Sequence, residues 1–165
     1  MKMLRKIWNF VWHDDSPLSW VVNIILALIL VKFLIYPGLG LLLGTTHPLV
    51  AVVSGSMEHD GMKFDDWWER NNGWYKENDI GKEEFEKFPF KHRFNKGDIM
   101  VLINSRNVNV GDVIVYNGNS EHPIIHRVVK VNEDSTYVLK GDHNNNRDNN
   151  NIKESIGKAV LRIPF

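Results

Sequence analysis

The chain has 165 residues, enough for one modest folded domain and an anchor but not for two domains with separate cores. Lys and Arg total 20 and Asp and Glu total 20, so the formal net charge is zero and no nucleic-acid-binding face is expected. The absence of cysteine excludes disulfides, thiolate nucleophiles and sulfur-ligated metal sites.

A long apolar stretch follows a basic and aromatic N-terminal segment. Residues 1–16 carry three basic side chains among tryptophan and aliphatic residues, a composition suited to the membrane interface. Ser16 and Pro17 are a favourable helix start, because serine caps free backbone N–H groups and proline at the first helical position loses no hydrogen bond. Residues 18–36 predict one apolar helix of about 30 Å, which matches the hydrocarbon thickness of a bilayer.

Two alternatives to a spanning helix are a cleavable signal sequence and a buried helix of a soluble domain. The stretch is too long for the first. The second is disfavoured because Lys32 is the one Asp, Glu, Lys or Arg between Asp15 and Glu58. The basic residues before the helix predict a cytoplasmic N-terminus. Proline and glycine in residues 37–44 predict an irregular, membrane-hugging continuation, so the anchor region is expected to comprise residues 17–43.

Residues 44–165 are predicted to form an extracytoplasmic, mainly β domain. Short β-rich runs alternate with turn-forming pairs such as Gly97-Asp98 and Gly111-Asp112. The runs are residues 49–53, 98–103, 112–116, 124–131, 137–140 and 159–163.

Residues 59–94 interrupt this pattern with mixed charges and several aromatic side chains, which predicts a helical insertion. Asn78 or Asp79 is expected to cap a short helix over residues 81–87. A small local core is the favoured role for the tryptophans, and contact with substrate or lipid is the alternative.

Ser56 is the candidate nucleophile of the β domain. It follows an apolar run and a glycine, so its side chain is expected at a strand end with free backbone N–H groups nearby. A serine hydroxyl needs a base to remove its proton and donors to stabilise the oxyanion that develops. A serine beside a glycine is more often part of a turn, so Ser56 alone does not establish catalysis.

His126 is the candidate base, and two aspartates are candidate partners for it. Strand alternation places His126 on the same face as Ile124 and Val128, where a partly buried imidazole could act near neutral pH. A structural histidine bonded to the backbone is the alternative. Asp142 and Asp148 bracket an Asn-rich run, and either could hold the histidine tautomer, although both could also be loop residues.

Several ordered motifs resemble those of type I signal peptidases. They are Ser54-Gly55-Ser56-Met57-Glu58, Gly97 to Val101, Gly111 to Tyr116, Ile125-His126-Arg127-Val128, Lys140-Gly141-Asp142 through Asp148, and Ile156 to Val160. The resemblance covers the chain from the anchor onward, apart from residues 59–94. Bacterial members use a lysine base, whereas archaeal and endoplasmic-reticulum members have a histidine, and this chain resembles the second group. His59 and His143 depart from the family pattern, in which proline and asparagine are usual.

The resemblance implies a signal-peptidase-like β catalytic domain with Ser56 as nucleophile and His126 as base. Asp148 would be the third catalytic member and Asp142 a supporting carboxylate, while the Ser56 N–H and the Ser54 hydroxyl would form the oxyanion hole. The implied activity is removal of signal peptides from secreted and membrane precursors, with no metal or organic cofactor. The expected partners are signal peptides, the lipid bilayer and the translocation machinery.

The expected location is a cell membrane or an endoplasmic-reticulum-type membrane, with one span and an extracytoplasmic catalytic domain. A noncatalytic, membrane-tethered β domain that binds translocated proteins is an alternative. A self-cleaving serine peptidase of the repressor-processing type is another, but it uses a lysine base and needs no anchor. The apolar stretch and His126 both disfavour the self-cleaving type.

Overall fold

Residues 2–118 and 120–165 are described by a computed structural model of the chain. Met1, part of the predicted N-terminal segment, and Asn119 lie outside the described residues. The chain divides into two units, one ending at Leu42 and the other running from Leu43 to Phe165.

The N-terminal unit is helical. Helix α1 spans Lys2–His13, and helix α2 spans Pro17–Leu30. The Ser16 side chain accepts a hydrogen bond from the Ser19 N–H at 3.2 Å, and Pro17 occupies the first helical position, so the predicted helix start is confirmed. Helix α2 also satisfies carbonyls at the end of α1, since the Ser19 hydroxyl donates to the Phe10 carbonyl and the Asn23 amide to the Val11 carbonyl.

The helix continues past Pro37, so the predicted irregular structure over residues 37–44 is wrong. A π-helical turn, Val31–Ile35, leads into helix α3, Tyr36–Leu43. Proline lacks an N–H and its ring clashes with the carbonyl four residues earlier in a regular α-helix. The π turn widens the backbone directly before Pro37, with the Tyr36 N–H donating to the Val31 carbonyl, and the helix then resumes.

The helical stretch Pro17–Leu43 is long and apolar enough to cross a membrane once. It ends at Gly44, whose φ of +67° is the left-handed conformation that commonly terminates helices.

The second unit is built on a six-stranded antiparallel sheet, which confirms the mainly β prediction. The strands are β1 Leu49–Ala51, β2 Ile99–Ile103, β3 Val113–Tyr116, β4 Ile124–Val131, β5 Tyr137–Lys140 and β6 Gly157–Ile163. Their order across the sheet is β1-β2-β6-β3-β4-β5, which leaves β1 and β5 at its edges. Each predicted run corresponds to one strand, although β6 begins two residues before its predicted run of residues 159–163.

Strand β4 alternates its side chains between two apolar clusters. Ile124 and Val128 pack into one cluster, and Ile125 packs into the cluster on the opposite face of the sheet. By the same alternation His126 lies on the face of Ile124 and Val128, and it is only 6% exposed. The strand therefore places the candidate base in a largely buried position.

The insertion contains three short helices, α4 Phe64–Asn71, α5 Gly73–Glu77 and α6 Lys82–Phe85. Its aromatic residues form a buried core with side chains from β4 and β5. The members are Phe64, Trp67, Trp68, Tyr75, Ile80, Phe85, Phe88, Val129 and Val138. The tryptophans Trp67 and Trp68 are thus core residues, and the insertion is packed onto the sheet.

The predicted capping of the last insertion helix by Asn78 or Asp79 is wrong. Gly81 precedes α6, and no side chain caps it. Asn78 instead ends helix α5, with its side-chain amide donating to the Trp74 carbonyl at 2.8 Å. Asp79 adopts a φ of +62° in the turn that follows. The Asn78 side chain is therefore bonded to the preceding helix, and Asp79 lies in the turn between the two helices.

Candidate active site

Ser56 lies in a tight turn shortly after the edge strand β1. The Glu58 N–H donates to the Gly55 carbonyl at 3.0 Å and closes the turn. Met57, 1% exposed, inserts into the core of the sheet. The Glu58 carboxylate accepts a hydrogen bond from the Lys96 N–H at 2.9 Å. The residues that follow Ser56 are therefore fixed by burial and by a bond to a neighbouring loop, while Ser56 itself stays half-buried.

Two donors lie at the position predicted for the oxyanion hole. The Ser54 and Ser56 hydroxyl oxygens are 3.2 Å apart. The Ser56 N–H makes no hydrogen bond with the described residues of the chain. A backbone donor and a hydroxyl donor are thus available beside the candidate nucleophile.

His126 is held by Asp148. The histidine Nδ1 lies 2.7 Å from Asp148 Oδ2 and 2.9 Å from Oδ1. The Tyr116 hydroxyl donates to the same Oδ2 at 2.7 Å. The Asp148 N–H donates to the Leu139 carbonyl at 2.8 Å, which fixes the backbone of the Asn-rich run. With Nδ1 engaged, Nε2 is the imidazole nitrogen free for proton transfer.

Tyr116 was not predicted as a site residue. Burial, followed by the hydrogen bond to Asp148, raises its pKa, so its phenol stays protonated and donates at neutral pH. The pairing of strands β3 and β4 could have indicated Tyr116 as a site residue. Tyr116 pairs with Ile124, which is two residues from His126.

Asp142 is held by Arg127 instead of His126. The fully buried guanidinium makes a two-pronged contact, Nε to Oδ1 at 2.9 Å and a terminal nitrogen to Oδ2 at 2.7 Å. Burial by itself raises the pKa of a carboxyl, but the charge of Arg127 lowers the pKa of Asp142 below its ordinary value. The geometry thus assigns the two candidate carboxylates different neighbours.

Two residues of the insertion also contact Asp142. The Tyr75 hydroxyl donates to Oδ1 at 3.0 Å, and the buried His59 Nε2 lies 3.6 Å from Oδ2. The His59 ring stacks on Trp67 at a centroid distance of 3.8 Å, and burial lowers the pKa of His59. Nothing in the local sequence around Tyr75 indicated this contact. His143, the second unusual histidine, lies with its Nδ1 3.5 Å from an Asp60 carboxylate oxygen.

Gly141 lies between the backbone of Ser56, the candidate nucleophile, and the ring of His126, the candidate base. A Cβ atom added to Gly141 would lie 2.7 Å from the Ser56 carbonyl oxygen and 2.9 Å from His126 Nε2. The His143 N–H also donates to the Ser56 carbonyl, at 2.9 Å. Among the described residues Ser56 Oγ bonds with Ser54 and not with His126. The two therefore flank one glycine without a direct hydrogen bond.

Lys140 is a buried lysine next to this site. Burial lowers its pKa to about 8. Its Nζ donates to the Gly141 carbonyl at 3.0 Å and to the Tyr75 hydroxyl at 3.4 Å. Within the described part of the chain Nζ makes no hydrogen bond to Ser56, so its contacts lie on the Asp142 side of the loop.

Comparison with known proteins identifies relatives among signal peptidase subunits. SEC11, the signal peptidase complex catalytic subunit of Chaetomium globosum, is 27% identical over 149 residues, 81% of this chain and 67% of that protein. SEC11 of Lachancea thermotolerans is 31% identical over 123 residues, 70% of this chain and 54% of that protein. Human SEC11C is 29% identical over 148 residues, 80% of this chain and 60% of that protein.

No family model matches the chain, and no solved structure matches it. The chain spans between 54% and 67% of the length of the three relatives. The matches nevertheless cover between 70% and 81% of this chain. The chain is a homologue of the SEC11 catalytic subunits of the signal peptidase complex.

Proposed function

We propose that the chain is a membrane-bound serine endopeptidase that removes signal peptides from secreted and membrane precursor proteins. The observation that carries this proposal is the His126–Asp148 pair, whose free Nε2 faces the Ser56 segment across Gly141. The relationship to signal peptidase catalytic subunits supports the same activity.

Ser56, His126 and Asp148 take the roles of a Ser-His-Asp catalytic triad. The Ser56 hydroxyl rotates toward His126, gives its proton to Nε2 and attacks the scissile carbonyl. Asp148 holds the Nδ1 proton and stabilises the imidazolium, while the Ser56 N–H and the Ser54 hydroxyl stabilise the oxyanion. His126 then protonates the departing amine. Water, deprotonated by His126, hydrolyses the acyl-enzyme and releases the signal peptide, so protein groups and water supply every step.

The edge of strand β1 is suited to hold the substrate. Among the described strands β1 pairs with β2 alone, so its other edge is open for an extended peptide to add as a strand. A cavity of about 300 Å³ lies beside this edge. It is lined by His47, Val50, Ala51, Val53, Ser54, Val115, His122, Pro123 and Ile125. Its largely apolar lining next to Ser54 favours an apolar side chain near the cleavage site, and the resemblance to signal peptidases implies a small one.

The proposed location is a cell membrane or an endoplasmic-reticulum-type membrane, where precursors emerge from the translocation machinery. The helix Pro17–Leu43 is the proposed single span, and the basic residues before it favour a cytoplasmic N-terminus. Anchoring the enzyme in the bilayer that also holds the apolar segment of the substrate raises their effective concentration.

An apolar face of the sheet supports proximity of the β domain to lipid. Strand register places Leu49, Ile99, Leu161 and Ile163 on one face, and each is between 38% and 56% exposed. Exposed apolar patches mark contact with membranes or proteins. Lipid is the proposed neighbour because β1 begins only six residues after the end of the spanning helix at Leu43.

Cleavage of a precursor by detergent-solubilised chain tests the catalytic assignment. We expect Ser56→Ala and His126→Ala to lower kcat by about 10⁶-fold. Asp148→Asn should lower it by about 10⁴-fold, because the histidine tautomer is lost. Ser120→Ala and His92→Ala, at exposed positions, are matched controls that should retain activity. Cleavage by Ser56→Ala at the rate of the unsubstituted chain would reject the peptidase and favour a noncatalytic binding domain.

Gly141→Ala tests the spacing of nucleophile and base. The added Cβ must displace the Ser56 carbonyl or the His126 ring, so we expect kcat to fall by roughly 100-fold. Gly73→Ala is the matched control, because an added Cβ there meets nothing within 4 Å. Thermal unfolding checks that both variants are folded. Full activity of folded Gly141→Ala would contradict the proposed arrangement.

Ala51→Leu tests the substrate cavity. Ala51 is exposed at the cavity wall, so a larger side chain should occupy the cavity with little effect on folding. We expect kcat/KM for precursors with small residues before the cleavage site to fall on the order of ten-fold. Val131→Leu, at the exposed end of β4, is the control. An unchanged kcat/KM in Ala51→Leu would place the substrate elsewhere.

Membrane orientation can be measured by cysteine labelling, since the chain has no cysteine of its own. Asn9→Cys places one thiol on helix α1, and Lys130→Cys places one on the β domain, both at exposed positions. With the chain in the cell membrane, a membrane-impermeant maleimide added outside intact cells should label position 130, and position 9 only after permeabilisation. The opposite labelling pattern would reverse the proposed topology.

A further inference from the structure

The insertion completes the surroundings of the buried Arg127–Asp142 pair. Arg127 is fully buried, so each of its five N–H groups needs a partner. Two bond Asp142, and one donates to the Gly111 carbonyl at 2.8 Å. The remaining two donate to the Pro89 carbonyl at 2.7 Å and the Phe90 carbonyl at 3.4 Å. The end of the insertion thus supplies two acceptors for the Arg127 guanidinium that strands β4 and β5 do not provide.

Tyr75 is the insertion residue that bonds the carboxylate itself. Its side chain is fully buried, and its hydroxyl donates to Asp142 Oδ1 at 3.0 Å. Its ring lies 5.0 Å from that of Phe85 and 5.8 Å from that of Trp68, between centroids. Burial, followed by the charge of Asp142, raises the pKa of Tyr75 well above its ordinary value, so the phenol remains a donor. The aromatic core therefore fixes the position from which the hydroxyl donates.

Asp142 lies at the centre of the loop that spaces the nucleophile and the base. Gly141 precedes it and faces both the Ser56 carbonyl and His126 Nε2. His143 follows it and donates its N–H to the Ser56 carbonyl at 2.9 Å. The Asp142 N–H points at the Met57 sulfur, 3.4 Å away. A shift of the Asp142 carboxylate would thus move the backbone that borders both catalytic side chains.

We propose that Tyr75 is a positioning residue for Ser56 and His126, and that the helical insertion acts on the active site through the Tyr75–Asp142 hydrogen bond. Tyr75 touches neither the nucleophile nor the base, so its effect passes through the Gly141–His143 loop. The inference rests on the proposed peptidase function. By this inference the insertion helps to position the active-site residues.

Tyr75→Phe is the sharpest test, because it removes the hydroxyl and keeps the ring in the aromatic core. We expect a folded enzyme whose kcat for precursor cleavage falls on the order of ten-fold, as expected for loss of a hydrogen bond to a charged group. KM should stay within about two-fold, because the substrate cavity is not touched. Tyr137→Phe is the matched control, since the Tyr137 hydroxyl makes no hydrogen bond with the described residues, and it should keep full activity.

Hydrogen exchange of the His143 N–H separates positioning from general stability. In Tyr75→Phe this amide should exchange about ten-fold faster without substrate, because its bond to the Ser56 carbonyl depends on the loop, whereas Tyr137→Phe should leave it unchanged. Unaltered kcat, or unaltered His143 exchange, would overturn the proposal. Failure of Tyr75→Phe to fold would also overturn it, since the hydroxyl would then be a requirement of the fold. Absence of cleavage by the unsubstituted chain would instead reject the peptidase function, and the exchange measurement would still test the Tyr75 link.

Discussion

The buried ion pair between Arg127 and Asp142 is the interaction on which the rest of the site depends. Removing two charges from water costs several kcal/mol per ion, and this cost is offset only when geometry is favourable and every remaining donor is bonded. Here the contact is two-pronged, and carbonyls accept the other guanidinium protons. His126 directly precedes Arg127, and Gly141 directly precedes Asp142. Because β4 and β5 pair Arg127 with Lys140, fixing the ion pair also fixes His126, the proposed base, and the loop beside it.

The same pair explains why the two carboxylates have different surroundings and suit different roles. A carboxylate that assists a histidine base must stabilise the positive charge that the imidazole gains during the reaction. Because the Arg127 guanidinium neutralises the charge of Asp142, Asp142 would stabilise a second cation, such as an imidazolium, only weakly. Among the described residues no Lys or Arg bonds the Asp148 carboxylate, whose side-chain partners are the neutral Tyr116 hydroxyl and His126 itself. Sequence spacing could not distinguish the two, because the difference arises from a residue on another strand.

Local sequence patterns predict much of the fold and part of the candidate active site. Apolar runs between turn pairs predicted all six strands, and alternation predicted the face of β4 that His126 shares. The continuation of the helix through Pro37 was not predictable from the proline rule, because a π turn relieves the clash that the rule assumes. The contact between Tyr75 and Asp142 joins residues 67 positions apart. Periodicity reports which face a side chain occupies but not which distant element packs against it, so such contacts remain hidden in one sequence.

A long insertion beside a proposed catalytic residue need not weaken the fold, and the packing of this insertion indicates why. The entropy cost of closing a loop grows only with the logarithm of its length, so a long insertion costs little more than a short one if it carries its own core. The aromatic cluster supplies that core, and Val129 and Val138 attach it to the sheet. Its two ends are also fixed, because Met57, shortly before it, and Phe94, its last residue, pack into the same cluster of the β domain. With both ends and one face held, we expect a displacement of the aromatic core to move the turn that carries Ser56, the proposed nucleophile.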